Sequence, residues 1–446
     1  MRFSNLVSKL AWSIPMLLIV LFAWHQSHFQ YDVYVEGDFG LIVHRLSVVA
    51  VVMLAAVSWL RSYPKPLVQM AYAYILMVVV YGFISHSLTS DGTLRTLVEA
   101  ILFSLIMLPV VSDKRMLCLF IRINLVLGVA LIALNTVPVL HWLNVLTLPN
   151  ESVPRVGGVP GEEYGFQDPI HFGLFGLTED FPYLGNPFET ARLQGFSLEP
   201  IHWSYFVFLT FASVLFLWAL NDGARKRVRN ALLLTLIAVH LFFVYSTTAF
   251  ITATAWLGVI TLMVLARRFF SLGKNETLLG WLVLVITPGL LIPFALVLAP
   301  NVAVILVADD ILNKGSNWQD KIDFLSMGVA LYTRFLPILG EAPSASHNLV
   351  LGLYITFGYF LLLPLLAFFW MFIKRTFAAQ SLSLVAGISI TLLTHMLVVP
   401  LQFFYPSGAM WIMMAAGVAY HASRSRPTFA VTAIKGPAPR LAIQTG

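Results

Sequence analysis

Runs of about twenty apolar residues recur along almost the whole chain, separated by short polar segments. A helix of that length covers the ~30 Å of hydrocarbon in a bilayer. No water reaches backbone amides there, so each run must satisfy its own, and an α-helix does so within one segment. The runs fall at about 6–24, 41–60, 67–87, 96–111, 116–139, 201–220, 230–246, 249–266, 277–298, 349–373, 381–400 and 409–422. Charged residues are 11% of the chain and apolar residues 59%, whereas a soluble protein carries about a quarter charged residues. The expectation is an all-α polytopic membrane protein with about 12 transmembrane helices. It forms a single transmembrane domain over 1–422, followed by a polar, proline-containing cytoplasmic tail over 423–446.

The basic residues predict the orientation. With the N-terminus in the cytoplasm, the segments on that side carry nineteen Lys and Arg, among them Lys65, Lys114, Arg115, Arg267, Arg268, Lys374, Arg375 and Arg424. The opposite side carries six, namely Arg95, Arg155, Arg192, Lys314, Lys321 and Arg334, while Arg45 and Arg122 fall inside runs. Cytoplasmic loops are enriched in Lys and Arg, and shifting the count by one span would invert the asymmetry. Both termini are therefore expected in the cytoplasm. The net charge of +6 is spread over these short clusters and gives no nucleic-acid signal. Arg2 and Lys9 before an apolar stretch give residues 1–24 the look of a signal peptide, but no A-x-A-like site follows, so an uncleaved first helix is expected. The single cysteine, Cys118, excludes an intrachain disulfide and a zinc site built from several cysteines.

Two long loops, about 140–200 and about 299–348, then fall on the same outer side. Loops of that length are functional or disordered, and the first holds too many aromatics for disorder. The segment from Asp320 to Phe335 mixes apolar and charged residues without proline, as an interfacial helix does. No internal repeat is visible, which gives an inverted-repeat transporter no support.

Each loop ends in a polar cluster that leads into a span. The first reads Arg192-Leu-Gln-Gly195-Phe196-Ser-Leu-Glu199-Pro200-Ile-His202. A guanidinium there can clamp phosphate oxygens with paired hydrogen bonds; it can equally be an anchor snorkelling towards headgroups. The second reads Gly340-Glu-Ala-Pro-Ser-Ala-Ser-His347-Asn348. A histidine where loop meets helix can serve as general base for a hydroxyl, or the cluster can simply cap the helix through Ser346 or Asn348.

These two stretches resemble the membrane family of O-antigen ligases and of O-antigen and exopolysaccharide polymerases. Arg192, Gly195, Glu199 and Pro200 answer to that family's arginine-glycine-proline element before one helix, although Phe196 follows the glycine directly. His347 and Asn348 answer to its later His-Asn element, with Gly358 downstream. The likeness covers topology over most of the chain but motif identity over a short part of it. It implies a type C glycosyltransferase fold, no metal and no cofactor, and a sugar donor carried on undecaprenyl diphosphate. In that reading Arg192 binds the diphosphate and stabilises the charge that grows as it leaves. His347 orients or deprotonates the acceptor hydroxyl, and Glu199, His202 and Asn348 line the substrate. The Glu-Pro pair leans towards polymerases, with a flippase and a chain-length regulator as further partners and the lipid bilayer as surroundings.

Two departures from the family stand out. Tyr245-Ser246-Thr247-Thr248 replaces the Ser-Arg pair common at a tight outer turn, and Trp318 precedes Lys321 where relatives place arginine before tryptophan. A second cation for the diphosphate is therefore drawn from Arg334 or Arg45, and Arg45 can equally snorkel. Asp309, Asp310, Asp320 and Asp323 lack the further oxygen ligands a divalent cation wants. His240 and His395 read as packed polar residues within helices. A ligase that moves finished glycan to lipid A core or protein is the variant within the class. A flippase or transporter would want charged residues near the bilayer midplane, which are scarce here, and a scaffold without catalysis is the third reading.

Overall fold

The computed structural model describes residues 13–21, 62–84, 91–142, 145–147, 151–152, 170–172, 175–178, 192–195, 200–220, 224–244, 246–269, 276–291, 349–350, 353, 359–377 and 381–424. Its long helices are α1 (Lys65–Ile84), α2 (Asp91–Ser112), α3 (Lys114–Asn135), α4 (Pro200–Leu220), α5 (Ala224–Val244), α6 (Thr247–Phe269), α7 (Tyr359–Phe377), α8 (Leu382–Leu393) and α9 (Pro406–Arg424). Shorter helical pieces occupy residues 13–21, Val137–Trp142 and Glu276–Trp281, the last continuing as a π-helix over Leu282–Leu291. Among the described residues, four stretches are long and apolar enough to cross a membrane: Lys65–Phe83, Lys114–Asn135, Ile201–Leu220 and Ala249–Arg268.

The outer faces of these helices are apolar. On α5, Val228, Leu232, Leu236, Val239 and Phe243 are all exposed, three or four residues apart, so one whole helical stripe turns oil outward. A soluble helix bundle reverses that pattern. A hydrocarbon surround accounts for it, and the chain is a helical membrane protein.

The interior is organised around α4, which is buried along most of its length. Helices α3, α5, α8 and α9 pack on it. Close approach depends on missing side chains. A Cβ on Gly128 of α3 would lie 2.2 Å from Thr210 Oγ1, and one on Gly387 of α8 would lie 2.7 Å from Phe216 Cε1. Small residues at crossings are how apolar helices gain contact when hydrophobic burial no longer discriminates between lipid and protein. Asn124 Nδ2 donates to Ser213 Oγ at 2.9 Å across the α3–α4 contact, and Trp256 Nε1 of α6 donates to the Ala386 carbonyl of α8 at 2.9 Å.

Helix boundaries differ from the apolar runs for local reasons. Helix α5 starts at Ala224 rather than 230, because Arg225, Lys226, Arg227 and Arg229 are good helix formers that extend it beyond the apolar run. Helix α9 runs through Arg424, so the polar tail begins after the expected boundary at 422. The run at 381–400 is not one regular helix. It loosens into π turns over Thr394–Val398, breaks at Val399 and resumes as a 3-10 turn over Pro400–Phe404. Pro400 supplies no N–H and pushes Val399 out of helical geometry, at φ −133 and ψ 81. Non-helical backbone needs partners inside the protein. The Tyr74 hydroxyl donates to the Phe403 carbonyl, and Ser407 Oγ donates to Gln402 Oε1 at 2.7 Å.

The first long loop contains an element the apolar runs did not anticipate. Strands β1 (Glu151–Ser152), β2 (Ile170–Phe172), β3 (Phe175–Thr178) and β4 (Arg192–Gly195) form one antiparallel sheet in sequence order.

Candidate functional site

Two ends of the bundle can be told apart from contacts alone. At one end, His421 Nε2 meets the Val111 carbonyl at 2.9 Å, and Arg375 Nη1 donates to the Pro66 carbonyl at 2.6 Å. The start of α1, the ends of α2, α7 and α9, and, one residue after α2, the start of α3 therefore lie together. At the other end, Trp203 Nε1 at the start of α4 donates to His240 Nε2 near the end of α5 at 2.9 Å, with the rings edge to face. The end of α3 and the tight turn from α5 to α6 belong here. Phe250 N donates to the buried Ser246 carbonyl at 3.0 Å to start α6.

The sheet sits at this second end. Strand β4 touches α3, α4 and α5, and β3 touches the Val137–Trp142 helix. Leu193 is fully buried, which fixes β4 against the helix ends. Arg192 stands next to it, its Cα paired with that of Thr178. His202 lies in the first turn of α4 and is half-buried, one residue before the anchored Trp203. Of the sequence candidates, Arg192 and His202 are thus carried by β4 and by α4 at the same end of the bundle.

Glu199, Arg334, Arg45, His347 and Asn348 lie outside the described residues, as do the acidic residues of the second loop and the segment 320–335. The chain directly after Asn348 is described: Leu349, Val350 and Leu353 are helical and buried in the core. Helix α7 follows and ends beside α1 at the first end. Its start at Tyr359 therefore lies away from that end.

Asn135 and His240 bring buried polar groups to this end. The side-chain amide of Asn135, at the end of α3, and Nδ1 of His240, on α5, have no hydrogen-bond partner among the described residues. An unpartnered buried polar group costs about 1–3 kcal/mol, so each calls for water or a bound molecule. Both belong to helices that β4 touches. His395 is paired: Nδ1 donates to the Thr391 carbonyl at 2.8 Å, which leaves Nε2 to accept from the Tyr205 hydroxyl at 3.0 Å. It is a packed polar residue. The sequence signal for Asn135 was an amide near the outer end of the run at 116–139.

No protein-family model, curated protein or solved structure matches this chain. What the site can do rests on its own residues.

Proposed function

We propose that the protein is a bacterial inner-membrane glycosyltransferase that joins oligosaccharide repeat units carried on undecaprenyl diphosphate at the periplasmic face. About 12 spans of a type C glycosyltransferase-like fold, with both termini in the cytoplasm, would frame that site. The observation that carries the reading is the seating of the Arg192 strand on the helix ends opposite the basic end of the bundle. An arginine held on a fixed strand at one membrane face suits a lipid diphosphate, whose charge lies at the headgroup level.

The chemistry then follows. The acceptor hydroxyl attacks the anomeric carbon, its proton passes to His347, and the bond from that carbon to the diphosphate breaks. Arg192 stabilises the negative charge gathering on the departing diphosphate. Glu199, His202 and Asn348 contact the sugars, Arg334 or Arg45 is the second cation, and the buried groups of Asn135 and His240 offer partners for sugar hydroxyls.

The test follows polysaccharide in a strain lacking this gene, complemented with wild type, Arg192→Ala or His347→Ala. Single-repeat material in the deletion strain and in both variants, at normal protein level, is expected. Near-normal polymer from either variant removes that residue from the mechanism. Long lipid-linked polymer that never reaches its acceptor would point to ligation instead, and an unchanged profile would end the assignment.

A further inference from the structure

At the end of the bundle opposite the sheet, α1, α7 and α9 do not close on one another. A cleft of about 570 Å³ opens between them. Its floor is apolar, built from Leu67 and Met70 of α1, Phe372 of α7 and the flat wall of Ala416 and Ala419 on α9. Its rim carries Lys65, Arg375 and Arg424, and among the described residues no Asp or Glu lines it. These cations are held or exposed rather than neutralised. Arg375 Nη1 reaches the Pro66 carbonyl at 2.6 Å and Nη2 reaches Gln69 Oε1 at 2.5 Å. Arg424 Nη1 donates to the Tyr420 hydroxyl at 2.5 Å, its guanidinium 5.2 Å from that ring's centroid, and Lys65 is exposed.

Cations gathered on one rim repel each other until an anion joins them. Residues 425–446 add Arg426, Lys435 and Arg440 and no Asp or Glu. A small soluble anion would satisfy the rim and leave the apolar floor in water. An amphiphile satisfies both, and basic pockets between helix ends of membrane proteins suit anionic headgroups. We infer that this cleft binds a membrane phospholipid with an anionic headgroup, its phosphate among Lys65, Arg375 and Arg424 and an acyl chain along Met70 and Phe372.

The full-length protein in nanodiscs of phosphatidylcholine with a minor fraction of phosphatidylglycerol provides the test. Lipid retained after detergent stripping is identified by mass spectrometry. Wild type should retain phosphatidylglycerol well above its share of the bilayer. Lys65→Gln and Arg424→Gln should each lower that enrichment about 5-fold, as expected for removing one basic residue near a headgroup. Lys65→Arg should keep it, and so should Arg229→Gln, an exposed charge on α5 outside the cleft. Arg375 is left intact because it also ties α7 to α1. Equal enrichment in wild type and both Gln variants overturns the proposal. So does displacement of the lipid by inorganic phosphate at millimolar level, which would make the cleft a site for a soluble anion.

Discussion

Tyr205 and His395 show how a polar pair is accommodated between apolar helices. The imidazole donates to the carbonyl one turn before it, so its other nitrogen is free to accept from the phenol of α4. Each polar atom of the pair is satisfied without water. Tyr205→Phe keeps the ring and removes the donor, leaving His395 Nε2 buried. The expected loss is about 1 kcal/mol, read as a lower thermal midpoint in detergent. An unchanged midpoint would mean that water or another donor replaces the phenol. Asn135 and His240 present the opposite case, polar atoms buried without a partner among the described residues at the end where β4 is seated. Their helices were legible in the sequence, but the lack of a partner depends on what each neighbouring helix fails to offer.

Among the candidate spans, α4 is the most buried. Its neighbours approach through glycines, and the fit leaves no slack: a methyl at residue 128 would overlap both the Thr210 hydroxyl and, at 2.7 Å, its Cγ2. Gly128→Ala is expected to push α3 off α4, break the Asn124–Ser213 hydrogen bond and reduce the monodisperse fraction in size-exclusion chromatography. Adding Thr210→Ala removes both clashing atoms, and the double variant should recover most of that fraction. If Gly128→Ala alone behaves as wild type, α3 and α4 do not cross this closely. The strands are elements of another kind. They are two to four residues long, too short for a period of two to show. One signal was available. Phe172 pairs with Phe175, and the two residues between them are Gly173-Leu174, the spacing and composition of a two-residue hairpin.

For the whole molecule, the two ends of the bundle differ in charge. Among the described residues, Lys65, Lys114, Arg115, Arg267, Arg268, Lys374, Arg375 and Arg424 belong to helix termini at the end with the cleft, whereas Arg95 and Arg192 belong to the other. That separation matches the alternation of charge along the sequence and predicts sidedness. The one native cysteine, Cys118, is buried, so single introduced thiols can be read separately. Val145→Cys, exposed near the sheet, should react with a membrane-impermeant maleimide applied from outside the membrane. Ser423→Cys, exposed on the last turn of α9, should react only after the membrane is opened. Labelling of both from one side would invalidate the shared topology.

The sequence by itself determined that the chain is helical and membrane-borne, because a run of apolar residues in lipid has one economical backbone solution and needs no partner to adopt it. It also determined which ends carry the positive charge, a property of loops counted one by one. The tertiary structure decided what lies beside what. Only there do Ala416, Phe372 and Lys65, far apart in the chain, share a cleft, and only there does the Arg192 strand gain a seat on three helix ends. Proximity of that kind depends on which small residue faces which neighbour, as Gly128 faces Thr210, and a pattern read along one helix does not contain the other.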